Sequence, residues 1–420
     1  MNRSDPSDGR SGLLRRLVAL SVPLALVGYT VLVDAWIVPT AINGGWFDAG
    51  RPDFFLLADA FLHGHLWLDV PWRPPINDIV VLDGRVYVPF APFPAILFIP
   101  LVALLGVGQA IAIEPLVNAF LAGVDVALAW VVLGAFGVRR ADHRLWLTVL
   151  FGFGTVLWNV TVRGGVWHTA EIVGMGCTLW ALVETRRKRP RAWLLGLLGG
   201  AGFLTRSTLL FALPYYAWVV AGRPTDLSGL RRAVRDGLGP ALQVALVALP
   251  FGLVFLWYNW ARFGSPLETG YELASLPPFL EALRAQGLFS IVHVPMNLDY
   301  LFLKGPDELI ATPPFFVPSR LGMSVLLTSP ALLVGLRSLR GSSEARVLAL
   351  TGLLVLLPTL LYYGGGWVQF GYRYLLDSVP FWLALCAIWG ARRGMGWLWQ
   401  LGIVWSVAVN LGLVYWAFNM

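Results

Sequence analysis

The chain has 420 residues, of which 57% are hydrophobic and only 13% charged, with a mean hydropathy of +0.68. A soluble domain carries about 25% charged residues, so this balance excludes one and points to a protein embedded in lipid. The net charge of +7 could suggest nucleic acid, but most of the 31 basic residues fall in short clusters between apolar runs, which argues against that partner.

Runs of about 20 apolar residues can cross a hydrocarbon core of about 30 Å as helices, and no alternating ten-residue pattern suggests a barrel. The predicted fold is an all-α polytopic membrane protein, a single transmembrane domain over 1–420. The N-terminal arginines (Arg3, Arg10, Arg15, Arg16) precede an apolar run that continues to about Pro39 without a small-residue cleavage site. It reads as a retained first helix, about 17–39. Further basic clusters lie at 139–144, 186–191, 223–235, 337–346 and 392–393. Placing all of them in the cytoplasm satisfies the positive-inside rule and puts the N-terminus there too.

That assignment orders the rest of the chain. Residues 40–115 form a large first extracytoplasmic loop carrying interfacial helices. Its part 94–113 is apolar enough to span, but a crossing there would move the clusters at 139–144 and 186–191 outside. It is therefore expected to lie along the interface or to re-enter. Spans follow at 116–136, 145–160 and 172–183, with 163–171 as a short outer turn. Segment 192–221 begins and ends beside basic clusters, so it reads as a hairpin with Thr205-Arg206 at its tip. Spans at 239–260, 322–336, 347–363, 375–389 and 395–416 complete about eleven helices, with a second large outer loop at 261–315. Cys177 and Cys386 both sit in apolar runs and are expected as packed thiols.

Ionisable residues gather at one predicted side: Asp48, Asp53, Asp59 and His63 in the first loop, Arg163, His168 and Glu171 in the 163–171 turn, Arg206 at the hairpin tip, and Arg373 in a glycine-rich turn. Such groups at membrane depth are costly and usually mark a pathway or a site. Carboxylates meeting arginines suit an anionic ligand handled by a base. Each residue also has a plainer reading. Asp53, after Pro52 and before the apolar stretch 54–62, fits a helix N-cap, which does not exclude catalysis. Asp59 and His63 are four apart and share a helix face, in a site or toward solvent. Asp48 fits a turn. Arg206 can grip a phosphate bidentately, or pair with a buried carboxylate such as Asp125. Arg373 can bind phosphate or snorkel to lipid headgroups, and the polar residues of 163–171 can serve solvation alone. No Walker loop, Rossmann glycine pattern or nucleophile elbow stands in a suitable context.

The arrangement resembles the GT-C class of integral-membrane glycosyltransferases, which includes protein O-mannosyltransferases and aminoarabinose transferases. The features that carry the resemblance are the acidic residue ahead of Leu57-Ala58-Asp59-Ala60-Phe61-Leu62-His63-Gly64, the proline-rich Val88-Pro89-Phe90-Ala91-Pro92-Phe93-Pro94, and the segments Gly202-Phe203-Leu204-Thr205-Arg206-Ser207 and Phe370-Gly371-Tyr372-Arg373-Tyr374-Leu375-Leu376-Asp377. The resemblance implies a sugar donor on polyprenyl phosphate or pyrophosphate and a glycan, lipid or protein acceptor, with inverting transfer outside the cell membrane. It implies a first-loop aspartate as general base, Asp53 before Asp48, and Arg206 and Arg373 on the leaving phosphate. The family's acidic pair is broken here, since Phe54 follows Asp53. Asp48 therefore stays an alternative, and no cofactor is assigned, with a divalent cation left open. A transporter or flippase of a lipid-linked sugar is the rival reading, and a structural component of an envelope-assembly complex a third.

Overall fold

A computed structural model describes residues 20–43, 51–70, 78–366 and 368–419. Asp48 lies outside the described residues. Among those described, six helices are long and apolar enough to cross a membrane: Leu20–Ile42, Glu114–Ala135, Val166–Thr185, Ala233–Phe263, Ser343–Leu361 and Trp397–Asn419. Ala141–Phe153 and Leu157–Arg163, meeting at 51°, make a seventh if they form one bent span. The chain is a helical membrane protein.

The expected count of about eleven spans is not confirmed: six helices, or seven with the bent pair, are long enough to cross among the described residues. Ala192–Phe203, Ser207–Val220, Pro330–Leu339 and Val379–Arg393 are all shorter than 18 residues. Even the longest, at 15 residues, reaches only about 22 Å at about 1.5 Å per residue, against about 30 Å of hydrocarbon. The hairpin is formed as expected, its arms joined through Leu204 to Arg206. Its first arm packs closely because it is glycine-rich. A Cβ on Gly196 would stand 2.6 Å from the Val244 carbonyl oxygen, and one on Gly199 would stand 2.3 Å from Leu213.

One expected boundary moves in a way that matters for function. The stretch 163–171 is not a turn, because the helix already begins at Val166. Gly164 and Gly165, both at positive φ, complete the reversal by themselves, so His168 and Glu171 belong to the first turns of a membrane helix.

The first loop is ordered over its described residues. Helix Asp53–Leu62 packs on helix Phe93–Leu105, with Phe55 stacked on Phe98 at 4.6 Å between ring centroids. The latter helix stops at Gly106 (φ 78°) before Val107–Ala112, so the apolar stretch 94–113 is broken rather than one straight span. Between the two helices an antiparallel hairpin pairs Val80–Leu82 with Arg85–Tyr87. A single core of Val126, Leu133, Leu150, Ile172, Leu195 and Leu385 ties the central helices together.

Basic residues meet at one end of the bundle. Arg186 pairs with Glu344 at 2.6 Å and donates to the Ala135 carbonyl, while Arg223 donates to the Thr185 carbonyl at 2.6 Å. Cations thus cover the carbonyl ends of two spans, where the helix dipole favours them. Among the described residues, the first-loop elements lie at the other end, where the Gly165 amide donates to Glu114 at the start of its span.

Candidate functional site

A cavity of about 450 Å³ opens where the first loop, the hairpin tip and the second loop converge, within the range usual for ligand pockets. Its ionisable lining residues are Asp78, Arg206, Arg262 and Arg373. Tyr271, Tyr362 and Tyr374 add hydroxyls and ring faces. An apolar arm of Phe203, Leu210, Phe211, Phe255 and Phe289 extends from this polar part. Leu210 and Phe289 at that arm are 44% and 58% exposed, so it reaches the surface of the bundle.

Asp78 is the first-loop carboxylate at the wall. It immediately precedes the hairpin, and its left-handed backbone (φ 56°) suits aspartate better than most residues. A bridge between Ile79 and Ser275 fixes it to the second loop, with the Ser275 amide donating to the Ile79 carbonyl at 2.9 Å. Trp167 donates its indole N–H to Asp78 Oδ2 at 2.8 Å. Burial raises the Asp78 carboxyl above its ordinary value, opposed by that hydrogen bond and by the charges of Arg51, Arg373 and Arg284.

The arginines are held in three different ways. Arg206 forks onto Asp377, Nε to Oδ1 at 3.0 Å and Nη2 to Oδ2 at 2.9 Å, and Thr208 donates to the same carboxylate at 2.7 Å. Arg373 donates to Glu171 Oε1 at 2.9 Å, its backbone fixed by Gln369. Arg262 donates only to neutral oxygens: the Tyr258 and Val88 carbonyls and Asn259 Oδ1, at 3.1, 2.6 and 3.0 Å. Phe93 N–H meets the Leu204 carbonyl at 3.1 Å, so the proline-rich segment pins the hairpin tip that carries Arg206.

Two of the predicted residues, Arg206 and Arg373, therefore meet at one cavity. Arg206 pairs with Asp377 rather than Asp125. Glu171 is fully buried and acts on the cavity through Arg373. Asp53 is also fully buried, but it is ion-paired with Arg51 and does not line the cavity. Its carboxyl is raised by burial and lowered by Arg51. Asp59 and His63 sit on an outward face, with side chains 36% and 66% exposed and 3.8 Å apart, because their helix turns its apolar side to Phe93–Leu105. Arg163 donates to the Val368 carbonyl, and His168 bonds its own helix start at Gly164; neither lines the cavity.

Asp78, Trp167, Arg262 and Asp377 belong to the site without being among the candidate residues singled out from the sequence. A signal existed for Asp78: Asp83-Gly84 between short β-branched runs marks a two-residue hairpin, and both take positive φ here. Asp377 lies one helical turn after Arg373. Nothing in sequence marks Arg262, whose neighbours come from 88 and 258–259.

No group of three or more His, Cys, Asp or Glu that could hold a metal ion occurs among the described residues. Comparison with protein-family models, curated proteins and solved structures finds no match for this chain. The class that fold and site define is therefore a polytopic helical membrane protein with a mixed-charge cavity that has an apolar arm.

Proposed function

We propose that the protein is a glycosyltransferase that moves a sugar from a polyprenyl-phosphate-linked donor to an acceptor hydroxyl, with the cavity on the extracytoplasmic side and the basic end in the cytoplasm. One observation carries this reading: among the described residues, one carboxylate and three arginines line a cavity whose apolar arm reaches the bundle surface. The arm suits a prenyl chain, and the arginines suit its phosphate. Asp78 accepts the acceptor's proton as the acceptor oxygen bonds to the anomeric carbon from the face opposite the phosphate. The anomeric C–O bond breaks, its electron pair leaves on polyprenyl phosphate, and the sugar inverts. Charge grows on that phosphate in the transition state, where cations fixed in advance stabilise it most. Asp78 replaces Asp53 in this role because a base must reach the proton it removes, and Asp78 is the one carboxylate among the described residues that lines the void.

Purified full-length protein in lipid nanodiscs, given a radiolabelled polyprenyl-phosphate sugar and soluble glycan, lipid or peptide acceptors, tests the reading. Transfer with release of polyprenyl phosphate supports it. In proteoliposomes, movement of the intact lipid-linked sugar between leaflets without bond cleavage supports the transporter instead.

A further inference from the structure

We propose that Asp53 and Arg51 are positioning residues that hold Asp78 in working geometry through the indole of Trp167. The inference rests on the reading of Asp78 as the base and adds how that base is set.

The contacts form one chain of groups. Asp53 is the first residue of helix Asp53–Leu62 and is fully buried. It accepts from Arg51 Nε at 3.4 Å and more closely from Nη2. The Arg51 guanidinium lies 5.2 Å from the centre of the Trp167 ring, within cation–π reach. Trp167 in turn donates to Asp78 at 2.8 Å. The backbone joins the same partners, since the Val166 amide donates to the Arg51 carbonyl at 2.9 Å and so ties residue 51 to the start of the helix that carries Trp167. Phe90 packs edge-on against Trp167 at 6.3 Å between centroids. Trp167 and Asp78 line the cavity, whereas Asp53 and Arg51 do not. Asp53 is thus placed to act on the chemistry only through other side chains.

The arrangement also sets the charge around Asp78. The cations acting on it are Arg51, Arg284 and Arg373. Asp53 is the neighbouring carboxylate. The phenols that face it are Tyr271, Tyr362, Tyr363 and Tyr374. Trp167 and Arg51 favour the ionised form of Asp78 and oppose its burial. Removing either raises the pH at which Asp78 ionises. Neutralising Asp53 removes the carboxylate that holds Arg51 beside Trp167 and so acts in the same direction.

The test uses the full-length protein in nanodiscs with two readouts. One is the pH dependence of kcat for transfer from the radiolabelled lipid-linked sugar. The other is modification of Asp78 by an apolar carbodiimide, followed by mass spectrometry, because only the protonated carboxyl reacts. For Trp167→Phe and Arg51→Gln, both midpoints move to higher pH and kcat at neutral pH falls more than KM rises. For Asp53→Asn, both midpoints move to higher pH, by less than in Arg51→Gln, and turnover persists at high pH, while Asp53→Glu stays near wild type. Turnover lost at every pH in Asp53→Asn but retained in Asp78→Asn makes Asp53 the base and overturns the proposal. Unmoved midpoints in variants that fold overturn it too. If wild type transfers no sugar but the carbodiimide midpoints move as stated, the positioning holds and the proposed activity fails.

Discussion

The two ends of the bundle use the same residue types in opposite ways. At the basic end, half-buried and exposed charges finish helices: Arg186 and Arg223 cover the carbonyls of Ala135 and Thr185 and share Glu344. Arg140 and Asp142 pair there with 69% and 52% of their side chains exposed. At the cavity end the charges are buried. Arg206 and Arg373 are each neutralised by a carboxylate, Asp377 and Glu171, that is 0% exposed in its side chain. Arg262 meets only neutral oxygens. Solvated charge costs little and needs no exact partner, so the basic end follows from where the helices stop. Buried charge is tolerated only with partners in place, so the cavity end depends on residues brought from far apart in the chain.

That contrast can be broken most sharply at Asp78. Asp78→Asn is expected to lower turnover about 10²–10⁴-fold, the usual contribution of a general base, with an unchanged thermal midpoint, as checked by the sugar-transfer assay alongside melting in nanodiscs. The next largest effect belongs to the Arg206–Asp377 pair. Asp377→Asn leaves Arg206 buried without its carboxylate and should destabilise the fold by about 3–5 kcal/mol. Arg206→Met combined with Asp377→Leu should recover much of that stability without recovering activity, which separates the fold's requirement from the chemistry's.

Smaller effects sharpen the comparison. Arg262→Lys keeps the charge but loses the planar fork that reaches three acceptors at once, and KM for the lipid-linked donor should rise about tenfold, the scale of one hydrogen bond to a charged group. Burial raises Asp78 above the ordinary carboxylate value, and a base works only when ionised. The rate should therefore increase with pH through an acid limb whose midpoint lies above 3.8, and a pH profile of kcat checks it. Smallest of all, Arg140→Gln at the basic end removes an exposed pair and should leave both transfer and thermal midpoint where they are.

The first loop explains why part of the site was legible and part was not. Arg206 and Arg373 stand out in sequence because each interrupts apolar surroundings, and both reach the cavity. Asp53 stands out equally, ahead of an apolar helix, yet its partner is only two residues away and it faces inward beside Arg51. Asp59 and His63 do share a helix face, as their spacing requires, but that face points outward. Spacing says which residues share a side of an element, not what the side meets. Asp78 is hidden in a loop held at the cavity by pairing with Ser275 from the second loop and by the indole of Trp167.

Composition and the lengths of the apolar runs determined that the chain lies in a membrane as helices, because a backbone in hydrocarbon must satisfy its own hydrogen bonds, as a helix does, and about 20 apolar side chains are needed to carry that helix across lipid. The broken helices, the partners of each buried charge and the carboxylate that faces the void were decided by the tertiary structure. Glycine positions, packing between distant segments and the cost of an unpaired buried ion act through neighbours that lie far off in sequence, as Arg206 and Asp377 do, 171 residues apart.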